Sequence, residues 1–163
     1  PLGLVATDLN LSHVVPQDAR LGRVAKAAPG TETAARRLLA LTEAGLTPVM
    51  SSVGIDDEGR LWNINADDVA LAVALLLKAP LIFLSDVRGV LDAEKNLIRT
   101  LTPDTAQKLM ADGVISGGMT VKVNAALAAA AATKAPVAVA SVFDETLTPC
   151  LLSGKLPGTV FAA

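Results

Sequence analysis

The 163-residue sequence contains no tyrosine, and aromatic residues make up only 2 % of it. A core must therefore be built from alanine, valine, leucine and isoleucine, which suits helices laid on a buried, mostly parallel sheet. Cys150 is the single cysteine, which excludes an internal disulfide and a cysteine-based zinc cluster. His13 is the single histidine, which argues against a histidine triad or a histidine-based metal site within the chain. Long apolar runs are also missing. The nearest, VALAVALLLKAPLIFL, is broken by Lys78 and Pro80 and falls short of the roughly 18 residues of a membrane span. Charge of one sign is scarce too. The net charge is −2 and no basic block stands out, so neither nucleic acid nor a membrane is the expected partner. No secretory leader is legible, and the cytoplasm is the expected compartment.

What is present is a chain that is 52 % hydrophobic and long enough for a real core, expected as one lobe over residues 1–163. It opens on PLGLVATDLN, strand-like sequence without the few disposable polar residues common at a native start. That opening is expected of a chain beginning inside a larger protein.

Along the chain, LGLVA reads as a strand, and SHVV and LGRVAKA as hairpin pieces. PGTETAARRLLALTEAG reads as a helix capped by Thr31 or Thr33, with Leu38, Leu39 and Leu41 on its apolar side and Gly45 ending it. TPVMSSVG reads as a buried strand. IDDEGRLWNI reads as a hairpin turning at Asp57, Glu58 and Gly59. ADDVALAVALLLKA is apolar nearly all round and is expected to be a buried helix. The strand PLIFLSD follows, then a helix from Pro103 capped by Thr102. After it come a longer helix opened by Gly117 and Gly118, the strand PVAVAS, a short helix in DETLTPCLL and a last strand in GTVFAA. Alternation of strand and helix predicts an α/β fold: an αβα sandwich on a mainly parallel open sheet, plus a β-hairpin.

Ligands in open α/β folds collect beyond the carboxyl ends of strands. Three polar clusters fall there. In NINADD, Asn63 and Asn65 share one face of an extended segment and Asp67 opens the next helix. A plain helix cap by Asn65 or Asp67 is the bland alternative. After PLIFL comes Ser85-Asp86-Val87-Arg88-Gly89-Val90-Leu91, with hydrogen-bonding groups and apolar flanks that suit a nucleotide, or else an ordinary turn. It is not a P-loop, because the lysine-containing glycine motif occurs nowhere. In SGGMTVK, two glycines open a helix whose N–H groups favour an anion. Lys122, one turn inside, leans back toward that end unless it is simply a surface lysine.

NINADD, LSDVRGVLD and GGMTVKVNAAL together, in this order and spacing, resemble the C-terminal nucleotide-binding lobe of the amino acid kinase family, in its acetylglutamate kinase branch. The resemblance spans nearly the whole chain and is strongest over residues 46–129. It implies phosphorylation of the side-chain carboxylate of N-acetyl-L-glutamate by ATP, a step of arginine biosynthesis, by a cytoplasmic enzyme that is a homodimer when complete. Carried over by position, Asn63 would bind the substrate with Asn65 beside it, and Asp67 would hold catalytic lysines in place. Ser85, Asp86, Val87, Arg88, Gly89, Val90 and Leu91 would line the nucleotide site with Val114, Ile115, Ser116 and Met119. Lys122 would stabilise the phosphoryl group in flight. Mg²⁺ would be held mainly through ATP oxygens rather than by a protein metal site. The motifs of the family's first lobe, with its own lysine, arginine and glycine-rich loops, are not among these 163 residues. The chain corresponds to roughly the later 60 % of such an enzyme, still within the usual 50–250-residue domain size. Two alternatives stay open: a related kinase with another carboxylate acceptor, or a nucleotide-binding module without catalysis.

Overall fold

The computed structural model describes residues 3–6, 15–16, 20, 22–27, 31–56 and 58–162. His13, Pro29, Gly30, Asp57 and most of SHVV lie outside them. The chain divides into two compact units, Pro1–Leu77 and Lys78–Ala163.

In the first unit, β1 (Gly3–Ala6) and β4 (Leu46–Val49) form a parallel pair. A second sheet runs in the spatial order β2 (Val15–Pro16), β3 (Val24–Lys26), β6 (Leu61–Ile64), β5 (Val53–Ile55). The β5–β6 hairpin forms as expected, and Gly59 (φ 76°) turns it in a conformation that favours glycine. Asp56 organises the same turn. One carboxylate oxygen accepts the backbone N–H groups of Glu58 and Arg60, at 3.0 and 2.9 Å. The other accepts the Arg60 Nε and the Trp62 indole N–H, at 2.7 and 2.9 Å. Partial burial would raise this carboxyl, but the bonds from Trp62, Arg60 and Glu58 outweigh it and hold its pKa well below the ordinary 3.8.

Helix α1 (Glu32–Glu43) starts where Thr31 accepts the Ala34 N–H at 3.2 Å, and Gly45 (φ 77°) follows its end. Leu38 is buried but Leu39 is 48 % exposed, contrary to expectation. At ~100° per residue, Leu39 is turned away from the face that Leu38 shares with Leu41. The stretch 47–54 is likewise not one buried strand. It breaks into β4 and β5, and Val49 is 51 % exposed, because β4 has β1 as its only sheet neighbour among the described residues. Helix α2 (Ala66–Leu77) buries Val69, Ala72 and Ala74 but leaves Leu75 exposed. Ala25, Ile64 and Val69 form the small core of this unit, with Met50 and Trp62 packed on it.

The second unit carries the larger core. Its sheet runs β7 (Leu81–Ser85), β9 (Val137–Ser141), β10 (Thr159–Phe161), β8 (Thr100–Leu101). The β7–β9 and β10–β8 pairs are parallel and β9–β10 is antiparallel. Every residue of β9 is buried. Helix α3 (Pro103–Ala111) begins at the expected cap, Thr102, whose hydroxyl accepts the Thr105 N–H at 3.3 Å. It packs on α4 (Gly118–Thr133), which lies against β9 and β10. The alanine-rich stretch lets α4 approach closely: Ala126, Ala129 and Ala130 are fully buried. A short helix, α5 (Leu147–Leu152), precedes β10. The fold is thus mixed α/β, with four of the seven strand pairings among the described residues parallel.

Candidate functional site

Beyond the carboxyl end of β7, the chain makes a sharp turn. The Ser85 hydroxyl accepts the Val87 N–H at 3.3 Å, and the Ser85 carbonyl accepts the Val142 N–H at 2.9 Å. Residues 87–92 then form one wall of a cleft of about 340 Å³. Val114, Ile115, Ser116 and Met119 form the other wall, and Lys95 also lines the cleft. Two of the expected clusters therefore meet: Val87, Arg88, Gly89, Val90 and Leu91 with Val114, Ile115, Ser116 and Met119. Ser85 and Asp86 lie beside the cleft rather than in its lining, and Lys122 does not line it either.

The second wall hangs from α3. The Leu109 carbonyl accepts the N–H groups of both Val114 and Ile115, at 2.9 and 3.0 Å, after Gly113 (φ 73°) reverses the chain. Gly117 (φ 56°) precedes α4 without a side-chain cap. Two N–H groups of the first turn are already engaged: Met119 donates to Ser116 and Thr120 to Gly117, each at a long 3.2 Å. Lys122 is half-buried on α4, between exposed Val121 and buried Val123.

The first wall is held more firmly. Gly89 has φ 138°, and a Cβ there would meet the Thr159 hydroxyl at 2.5 Å and the Leu97 Cδ1 at 2.7 Å. Val90 is buried; its N–H donates to Thr159 Oγ1 at 2.8 Å and its carbonyl accepts the Ile98 N–H at 2.8 Å. The Asp92 carboxylate closes the next turn by accepting the Asn96 backbone and side-chain N–H groups, at 2.8 and 3.2 Å. Asp92 is thus occupied, while Arg88 and Lys95 line the cleft as cations. Asp144 lies within the field of Arg88. Hydrogen bonds from Thr146 lower its pKa below 3.8, and the Arg88 and Arg99 charges add to the effect.

Asn63, Asn65 and Asp67 belong to the first unit. Asn63 and Asn65 are both exposed and flank buried Ile64, so they share a face as expected. Asn65 is also the cap of α2, because its Oδ1 accepts the Asp67 and Asp68 N–H groups at 2.8 and 3.4 Å. The cap takes that carbonyl oxygen and leaves the amide Nδ2 free to donate. Asp67 is exposed in the first turn of α2.

Two residues of the cleft lining, Asp92 and Lys95, and one buried behind its wall, Thr159, were not singled out in the sequence. Asp92-Ala-Glu-Lys-Asn96 carries a turn signal in its spaced Asp and Asn. Thr159 carries none, since its partners are remote in the chain.

The model of the amino acid kinase family matches residues 3–141. The chain belongs to the amino acid kinase family. Relatives include the acetylglutamate kinases of Yersinia pestis (strain Pestoides F) and Yersinia pseudotuberculosis serotype I (strain IP32953). The chain is 46 % identical to each over 158 residues. That alignment covers 97 % of this chain but 60 % of either relative, so the chain spans about three-fifths of their length. Among solved structures, the N-acetylglutamate synthase of Neisseria gonorrhoeae, complexed with coenzyme A and N-acetyl-glutamate, superposes with a TM-score of 0.77. That match has 24 % identity and covers 99 % of this chain and 38 % of the other. The carbamate kinase of Giardia lamblia bound to AMP-PNP gives 0.64 at 17 % identity, covering 99 % and 62 %. These two likenesses establish the amino acid kinase fold.

Proposed function

We propose that this chain is the nucleotide-binding part of a kinase that transfers the γ-phosphoryl group of ATP to the side-chain carboxylate of N-acetyl-L-glutamate. The product is N-acetyl-L-glutamyl 5-phosphate, an intermediate on the way to arginine. The observation that carries this reading is the cleft between residues 87–92 and 114–119, built from the two segments that the family resemblance assigns to nucleotide. The 46 % identity to acetylglutamate kinases supports the acceptor.

Val90, Leu91, Val114 and Met119 offer apolar flanks for a base, and Arg88 and Lys95 suit an anionic ligand. Phosphoryl transfer depends on positioning and charge stabilisation more than on covalent help from the protein. Lys122 supplies a positive charge for the transferring group, and Asp67 holds lysines in position. Asn63, with Nδ2 of Asn65 beside it, binds the acceptor by amide hydrogen bonds. Ser85 and Asp86 support the nucleotide loop from its strand end. No group of three or more His, Cys, Asp or Glu side chains converges among the described residues. Mg²⁺ would be held through ATP oxygens, as suits its preference for phosphate and water ligands. Residues 1–163 act here as one lobe of a cytoplasmic homodimer. No helix among the described residues is long and apolar enough to cross a membrane.

The test is a coupled ADP-release assay on the 163-residue chain and on the product of the whole reading frame that encodes it. N-acetyl-L-glutamate, aspartate, glutamate and carbamate serve as acceptors. The product of the whole reading frame is expected to turn over N-acetyl-L-glutamate in preference to the others. The 163 residues are expected to bind Mg-ATP weakly and transfer nothing. Preference for another acceptor would overturn the substrate assignment.

A further inference from the structure

Thr159 is a hydroxyl in the middle of an apolar core. It begins β10, pairs with Val139 of β9, and is 0 % exposed. Its single proton goes to the Ile98 carbonyl at 2.6 Å, and its oxygen accepts the Val90 N–H at 2.8 Å. A threonine hydroxyl has one donor and two acceptor positions, so both bonds are satisfied at once. The two partners lie on opposite limbs of the loop that leaves the cleft wall, and those limbs are joined again by the Ile98 N–H to the Val90 carbonyl. Gly89 completes the arrangement. Its missing side chain lets the loop lie directly on Thr159.

From this geometry we propose that Thr159 is a positioning residue for the nucleotide. It does not line the cleft. It fixes the height and direction of Gly89-Val90-Leu91, and so the shape of the cleft wall, from the far side of the loop. The proposal rests on the reading of that cleft as the nucleotide site. Removing the hydroxyl strands the Val90 N–H in a buried place, where a lone donor is unfavourable. The loop then relaxes outward, and the wall moves with it.

The decisive comparison is Thr159→Val, which keeps the shape and loses the hydroxyl, against Thr159→Ser, which keeps the hydroxyl. Mg-ATP affinity is measured by calorimetry, and amide exchange at Val90 by NMR without nucleotide. In the unmodified chain, Val90 is expected to exchange slowly although it lies outside regular strand or helix. Thr159→Val is expected to speed that exchange and weaken Mg-ATP binding by about tenfold or more, ~1.4 kcal/mol. Thr159→Ser should restore both to near the original values. In the catalytically competent protein, the loss should fall on KM for ATP and leave KM for N-acetyl-L-glutamate in place. A Val90 amide that exchanges freely in the unmodified chain would overturn the proposal, even if Thr159→Val does not fold. So would equal Mg-ATP affinities in the Val and Ser variants. An unmodified chain that binds no Mg-ATP, yet shows the exchange pattern, would instead overturn the nucleotide reading and leave Thr159 as an anchor for a different ligand's loop.

Discussion

Asp56 and Trp62 are joined across the β5–β6 hairpin, the indole N–H donating to the carboxylate at 2.9 Å. Trp62 is the only tryptophan, so the emission comes from this hairpin and the small core on which Trp62 packs. Asp56 titrates lower in the folded chain than unfolded. Its contribution to stability is therefore complete above the ordinary 3.8 and is lost as pH falls below that value through the folded pKa. Trp62 emission should stay constant from pH 7 to about pH 4, the unperturbed carboxylate range, and shift only below it. Asp56→Asn should lower Tm at neutral pH and red-shift the emission. Unchanged emission and Tm in that variant would remove Asp56 as the organiser of the turn.

Gly89→Ala should be poorly tolerated. The new methyl would overlap the Thr159 hydroxyl and Leu97, in a backbone conformation that alanine rarely adopts. A stability loss of about 1–3 kcal/mol, the usual range for overpacking, is expected with a loss of Mg-ATP binding. Gly113→Ala is the control, since nothing lies within 4 Å of its added methyl. Its cost should be limited to the left-handed conformation at φ 73°. Denaturant titration of both variants decides the matter.

Lys122→Ala, in the catalytically competent protein, should lower kcat by about 10²–10³, the usual loss for one electrostatic stabiliser of a transition state. The Lys122 side chain forms no hydrogen bond or ion pair among the described residues, so Tm should hardly change. A near-normal kcat removes Lys122 from the mechanism.

Asn63→Ala should raise KM for N-acetyl-L-glutamate and leave Mg-ATP affinity nearly unchanged. The backbone of Asn63 is held by the sheet through Arg23, so the strand should survive the loss of the side chain. Steady-state kinetics with each substrate varied in turn give the answer. Weakened ATP binding with intact acceptor binding would mean the two roles are exchanged.

What could be read in the sequence was what depends on near neighbours. Thr102 accepts an N–H three residues on and Gly59 turns a hairpin whose strands flank it, so both were legible in place, and the structure settles the first cap, left between Thr31 and Thr33, on Thr31. Asn65 was legible as a polar residue at a helix start, and its cap is now visible. Whether its remaining amide also serves an acceptor is a matter of the site and not of the helix. Val49 and Leu39 were misjudged because burial depends on what packs against a residue, and an apolar side chain does not announce its neighbour. Thr159 was invisible for a stronger reason. Its two bonds reach back 61 and 69 residues, to segments that only the folded sheet brings beside it.

The buried strand β9 has a consequence for how this unit assembles. Its parallel partner β7 is separated from it in sequence by the whole of α3 and α4, whereas its antiparallel partner β10 follows after only a short helix. Closing the longer connection costs more chain entropy before any contact compensates for it. The β9–β10 pair with α4 packed on it is thus a natural nucleus, and β7 docks onto a surface already formed. Because the 87–92 wall of the cleft hangs from the end of β7, that wall is expected to take shape after β10, the strand that anchors it through Thr159, is in place.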